Sequence, residues 1–281
     1  MISIVGLGNA ASAIADKFSD ASSNYNIYLM NSKFQRSSKQ KLKLKKFETP
    51  EEYETNIPNV KQFFKGMDDH VQFIIMGASY SSNYALGILE QIKDKKIDVF
   101  YIKPDIDLLT GVPRLVERAV FGILQEYARS GLLNSITLFS NLELENILKN
   151  VPVKDYYDTL NTSIFSTMHY LNFFEHTEPE IGQISKPGAI NRIRSVAILN
   201  MKTLEEKWCF PLDIDRELCY YMCINEKRMR EEGGLHKKLV NILKEKPRNA
   251  FRKISYAIYE TSLEQDFGFC ISHTNAIQNN T

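Results

Sequence analysis

Short apolar runs alternate with polar, glycine-bearing loops and with stretches of helical periodicity along residues 1–174. Ile2 to Val5 reads as a β-branched strand. Gly6-Leu7-Gly8-Asn9-Ala10-Ala11-Ser12 leads from it into a helix predicted to carry Ala13, Ile14, Ala15 and Phe18 on its inner side. Further strands are predicted over 27–30, 71–76, 97–102 and 136–139. Helices are predicted from about Tyr84, over 113–130 and 144–148, and over 153–174, with a short one expected over 58–65. The last of the long helices sets Tyr157, Leu160, Ile164, Met168 and Leu171 at helical spacing. Strand and helix in alternation predict a parallel sheet covered on both faces.

Beyond residue 174 the pattern changes. Residues 175–187 form a polar connection with Pro179, Gly182 and Pro187. Strands follow over 195–199, 208–210, 218–224, 254–259 and 267–272, with one helix over 235–245, and the tail from Asn275 is expected to fray. The fold class is therefore α/β: a doubly wound, Rossmann-like domain over 1–152, which the family resemblance given below marks as nucleotide-binding, a long helix over 153–174, and a smaller α+β domain with a mixed sheet over 175–281.

The stretch 72–90 organises this reading. A buried strand runs into the small polar loop Gly77 to Asn83 and then into a helix. Free amides of a first helical turn and the helix dipole favour an anion at such a place. A phosphate loop usually takes several glycines, and this one has Gly77 alone, followed by Ala78, Ser79, Tyr80, Ser81 and Ser82.

Charge adds little globally, because 35 Lys and Arg stand against 34 acids. No nucleic-acid partner is indicated, and no apolar run approaches a membrane span. Locally, residues 33–46 carry seven Lys or Arg and no acid, which suits a solvated insertion or an interaction loop for an acidic partner. The four cysteines lie in the last third, within or beside apolar segments, and read as buried thiols of a reducing compartment. Cys219, Cys223 and His236 match no standard zinc spacing. Ala13-Ile14-Ala15 mimics a leader cleavage site without a basic segment before it, so a cytoplasmic location is expected.

The order of these pieces resembles the tubulin/FtsZ family across residues 1 to about 174. Gly6 to Ser12 looks like the family's first glycine-rich loop, Asn31 sits where its second strand ends in an Ile-Asn-Thr-like segment, and Gly77 to Asn83 falls at its glycine-rich signature loop. Ile102-Lys103-Pro104, Thr110-Gly111, Arg114 and Gly122-Ile123-Leu124 follow in the family's order. Ser140-Asn141 is similar to its Pro-Asn, and Tyr157 and Asn161 stand at the spacing of the aromatic and the Asp that hold guanine from the central helix.

The resemblance implies GTP or GDP as the ligand, and head-to-tail self-association into oligomers or filaments. By correspondence with the family's motifs, the nucleotide site would comprise Gly6, Gly8, Asn9, Asn31, Gly77, Ala78, Ser79, Ser81, Ser82, Thr110, Arg114, Asn141, Tyr157 and Asn161. The departures argue for a nucleotide held weakly or not at all. The signature glycines are gone, Tyr80 must point away from any phosphate, Ala13 replaces a base-contacting Asn, Thr110 a ribose-contacting Glu, and Asn161 an Asp. The family's acidic loop after the central helix is answered by Gly182 to Arg192, which holds no carboxylate, so no catalytic residue is assigned and GTP hydrolysis is expected to be slow or lost. An active cytomotive GTPase is one alternative. A Rossmann-type NAD(P) enzyme, raised by Gly6-x-Gly8, is the other; it lacks an acid after the second strand.

Overall fold

The computed structural model describes residues 1–247 and 252–279. β1 (Ile2–Leu7), α1 (Asn9–Lys17) and β2 (Tyr25–Asn31) open the chain as a parallel unit, with β3 (Lys41–Lys43) added beside β2. α2 (Pro50–Thr55), β4 (His70–Met76), α3 (Ala85–Gln91), β5 (Lys96–Lys103), α4 (Val112–Ser130), β6 (Ser135–Ser140) and α5 (Asn141–Leu148) continue it. The long α6 (Tyr156–His176) follows. Then come β7 (Ile181–Gln183), β8 (Ile193–Leu199), β9 (Glu206–Trp208), β10 (Glu217–Asn225), α7 (Glu226–Glu231), α8 (Leu235–Glu245), β11 (Lys253–Thr261) and β12 (Phe267–Thr274).

The strands lie in the order β3-β2-β1-β4-β5-β6-β8-β12-β10-β11-β7, with β9 on β8. Every pairing from β3 to β8 along this order is parallel, and β12 then enters antiparallel, so the sheet of both halves is continuous. The order reverses direction between β1 and β4. In doubly wound sheets a crevice opens there, outside the carboxyl ends of the two strands.

Strand alternation sorts the core into two faces. Val5, Leu7, Phe73, Ile75, Val99 and Tyr101 meet α3 and α4, while Ile4, Ile74, Phe100 and Ile102 meet α1 and α6. Gly6 lies on the second face for a steric reason. A Cβ there would come within 2.5 Å of the Ala11 carbonyl oxygen and 2.7 Å of the Ser12 Cα, so only glycine lets α1 lie this close to β1. In the later half, α8 buries Leu235, Leu239 and Leu243, one turn apart, against Leu218, Tyr220 and Met222 of β10.

Several expectations need correction. Ala13 is exposed; the sheet-facing stripe of α1 is Ala11, Ile14, Ala15 and Phe18, which keeps the 3.6-residue period. Residues 58–60 are irregular and 61–66 form turns, and the helix of this region is α2. Its start is fixed by Pro50 and by a capping box in which Thr49 and Glu52 satisfy each other's amides. The basic segment 33–46 carries edge strand β3: Leu42 and Leu44 turn inward between exposed lysines, and Ser38 N–H and Ser37 Oγ bond the Lys41 carbonyl and the Lys43 amide. The connection after α6 contains β7, and α7 follows β10 directly. Residues 275–279 are docked rather than frayed. Gln278 exchanges hydrogen bonds with buried Gln125 of α4, at 2.7 and 3.1 Å. Residues 280–281 lie outside the described part.

Candidate functional site

Two strand–loop–helix junctions meet at the β1/β4 crevice. The first is Gly8, which has φ +97° and is the N-cap of α1. Its amide donates to the Met30 carbonyl at 2.7 Å, and Ser12 Oγ donates to the Gly6 carbonyl at 3.1 Å, so the turn is locked to β1 and β2. No side chain caps α1. The amides of its first turn are therefore left for solvent or a ligand. Asn9 is exposed at the first helical position. Asn31, buried at the end of β2, accepts from the Lys33 amide at 3.1 Å and reaches Asn9 Oδ1 at 3.4 Å.

The second junction is closed by its own side chains. Gly77 donates its amide to the Ile102 carbonyl at 2.9 Å and sits directly over the Tyr101 hydroxyl, leaving no room for a Cβ. Ala78 takes φ +55°, a conformation in which glycine is at ease and alanine is not. Ser79 then caps a 3-10 helix over Tyr80–Tyr84: its Oγ donates to the Met76 carbonyl at 3.0 Å and accepts from the Ser82 amide at 3.1 Å. Ser82 Oγ donates back to the Ser79 carbonyl at 2.6 Å. Ser79 and Ser81 pack against the open side of Gly8, where a Cβ would lie 3.3 Å from Ser81 Cβ and 3.5 Å from either hydroxyl. Tyr80 points to solvent, with the Lys46 ammonium 5.1 Å from its ring centre.

The remaining residues form a second group. Tyr157 is 71% exposed on the first turn of α6 and Asn161 only 7% exposed one turn later. α1 holds this end of α6 through Lys17 and Asp158, 2.8 Å apart. Thr110 and Arg114 are exposed around the start of α4, and Asn141 opens α5 after Ser140, which caps it. Among the described residues, the side chains of Thr110, Arg114, Asn141, Tyr157 and Asn161 make no hydrogen bond. The structure thus joins Gly8, Ser79 and Ser81 in contact, and Asn9 with Asn31. Arg114 lines a separate cavity of about 400 Å³ together with Lys103, Asp105 and Ser140.

That cavity rests on a buried cluster the sequence reading left unassigned. Lys103 lies between the rings of Phe121 and Phe210, at 5.4 and 5.7 Å, and burial lowers its pKa against the opposing pull of Glu117. Tyr101 donates to Glu117 at 3.0 Å, and burial, then the Glu117 charge, raises the phenol well above its usual pKa. A signal for this was present in Lys103-Pro104; that Glu117 turns inward from α4 was not. A second unassigned residue is Glu217, which is buried and accepts from the Gly188 amide and the Asn191 side chain, both at 2.6 Å. It pins the loop after β7.

No protein-family model matches the sequence, and no curated protein matches it. Solved structures do. TubZ of Bacillus thuringiensis serovar israelensis, in a GTPγS-form protofilament, superposes with a TM-score of 0.72 at 10% identity, over 97% of this chain and 86% of that one. FtsZ of M. jannaschii, as an empty dimer, gives 0.71 at 12% identity over 97% and 87%. A TubZ of type III plasmid segregation gives 0.68 at 12% identity over 98% and 87%. With the reversal at β1/β4, the long α6 and the mixed sheet behind it, the chain has the fold of the tubulin/FtsZ family.

Proposed function

We propose that this protein acts by self-assembly or partner binding on a tubulin-like scaffold, with weakened guanine-nucleotide binding and little or no GTP hydrolysis. The observation that carries the reading is the Ser79 cap. Its hydroxyl, together with the Ser79 carbonyl 3.0 Å away, engages the Ser82 amide and ties the second loop to β4, so a donor that a phosphate would use already has a partner. The loop over Gly182 to Arg192 supports the loss of hydrolysis, since it offers lysine and arginine but no carboxylate to polarise a water.

Assembly has its own support. Large apolar side chains are exposed near the carboxyl ends of the parallel strands: Leu108 at 80%, Val153 at 92%, and Val112, Leu115 and Tyr157. Apolar residues collected in this way favour contact with another protein surface, and a heterologous contact between copies propagates into a filament. The exposed lysines of 33–46 suit an acidic partner at the sheet edge.

Sedimentation of the purified protein with GTP, GDP, ATP or no nucleotide tests this directly. Pelleting that is the same in all four, with negligible phosphate release, is the expected result, and Val153→Asp should reduce it. Pelleting that requires GTP, with turnover climbing steeply with protein concentration, would show instead an active GTPase completed between subunits.

A further inference from the structure

The basic run 33–46 does not stand alone in the fold. Residues 58–66, a second stretch without an acid, lie at the same sheet edge and add Lys61 and Lys65 to it. Asn26 Nδ2 donates to the Gly66 carbonyl at 3.0 Å and the Phe63 ring packs on Tyr28 at 5.5 Å, so this stretch is fastened to β2, as β3 is. A groove of about 830 Å³ between the two is lined by Asn26, Ser38, Lys39, Gln40, Gln62 and Lys65, and no carboxylate lines it. All nine basic side chains of the two segments are exposed, and none forms an ion pair among the described residues, whereas Lys93, Lys95 and Lys96 all pair with acids. Nine like charges gathered in a chain of net charge +1 repel one another, a cost that an anionic partner relieves.

Building on the acidic-partner reading above, we infer that this groove docks an extended acidic peptide segment of another protein, whose carboxylates pair with Lys39 from one segment and Lys65 from the other. Side chains have to do the recognising. The Lys41 carbonyl of the β3 edge already accepts from the Ser38 amide at 2.7 Å, and the Lys43 amide donates to Ser37 Oγ at 2.9 Å, so strand addition is disfavoured. Gln40 and Gln62 can donate to and accept from the main chain of the peptide. A single-stranded nucleic acid fits less well, because its bases need open aromatic faces. The rings of this edge are covered: Lys41 lies 5.8 Å over Phe34, Lys46 lies 5.1 Å over Tyr80, and Phe63 packs on Tyr28 and Phe64 at 5.5 and 5.0 Å. Lysine is also the only cation lining the groove, a point charge without the fork that a guanidinium lays on phosphate.

The test titrates fluorescein-labelled octaglutamate with the full chain and follows anisotropy, beside a labelled oligothymidylate of the same length. Octaglutamate should bind saturably in about 50 mM salt and several-fold more weakly in about 200 mM, with the oligothymidylate about threefold or more weaker than the peptide. Reversing the groove charges, Lys39→Glu with Lys65→Glu, should weaken octaglutamate by about tenfold. Lys202→Glu with Lys237→Glu makes the same change in net charge at exposed lysines of the later half and should leave affinity within about twofold. All four positions are exposed, and unchanged thermal unfolding checks that both variants fold. Equal weakening by the two pairs overturns the groove and leaves an acidic partner for the basic run in place. Oligothymidylate binding that falls short of the threefold deficit, or exceeds the peptide, overturns the peptide in favour of a nucleic acid. Absence of octaglutamate binding overturns both the groove and the acidic-partner reading, while assembly, which sedimentation decides, is unaffected.

Discussion

Both loops of the crevice leave the carboxyl end of a parallel strand and enter a helix, and they face each other across Gly8, Ser79 and Ser81. They differ in what satisfies the amides of the helix they open. α1 begins at a glycine with no side-chain cap, so its first-turn donors stay available. The second loop begins at Ser79, which caps the turn that follows and is itself tied to β4. A strand–loop–helix junction therefore binds anions only while its own side chains leave the donors free. In this chain the first junction leaves its first-turn amides uncapped, and the second caps its own turn with Ser79.

Replacing the glycine under each loop tests how each is anchored and should give the largest effect. In Gly6→Ala the new methyl meets backbone atoms of Ala11 and Ser12, which cannot step aside without lifting α1 from β1. A loss of about 3 kcal/mol in unfolding free energy by urea denaturation is expected. In Gly77→Ala the obstacle is the end of the Tyr101 side chain, with Pro104 Cδ at 3.0 Å, and a side chain can yield. The loss there should be smaller, about 1–2 kcal/mol. Equal losses would mean that the two loops are anchored alike.

Ser79→Ala tests the exchange itself. Loss of the cap should cost about 1 kcal/mol in thermal or urea unfolding. The Ser82 amide is then held only by the Ser79 carbonyl, 3.0 Å away, and affinity for mant-GDP should rise by about two- to threefold, a fraction of one charge-assisted hydrogen bond. Lower stability without a gain in affinity would show that the cap does not compete with phosphate.

Much of this scaffold was legible because it follows from periodicity. Buried β-branched runs marked β1, β4, β5 and β6 to within two residues at each end, and the leucine spacing of 235–245 matched α8. α2 was missed because its signal is a capping box on a six-residue helix rather than an apolar stripe. β3 hid inside a run of lysines, where two leucines alone carry the alternation. For the candidate site, the order of motifs proposes positions, but the hydrogen-bond state of the second loop could not be read from it. That Ser79 caps its own helix, 3.1 Å from the Ser82 amide, is a contact no spacing in the sequence signals. Glu217 was equally silent, since nothing in its neighbourhood along the chain reveals that it holds Gly188 and Asn191.

The smallest effect should come from Ala78, and it has the opposite sign. At φ +55° its Cβ crowds the backbone, and glycine adopts this conformation without penalty. A glycine also gives the unfolded chain more freedom, which works against the gain. Relief of the left-handed strain is worth about 1–2 kcal/mol and the added unfolded-state entropy removes about 0.4–1 kcal/mol of it, so Ala78→Gly should raise stability by about 0.5–1 kcal/mol. Because the Ser79 cap is untouched, mant-GDP affinity should not change. Stability and affinity rising together in this variant would mean that backbone strain at Ala78, rather than the serine cap, is what separates the second loop from the first.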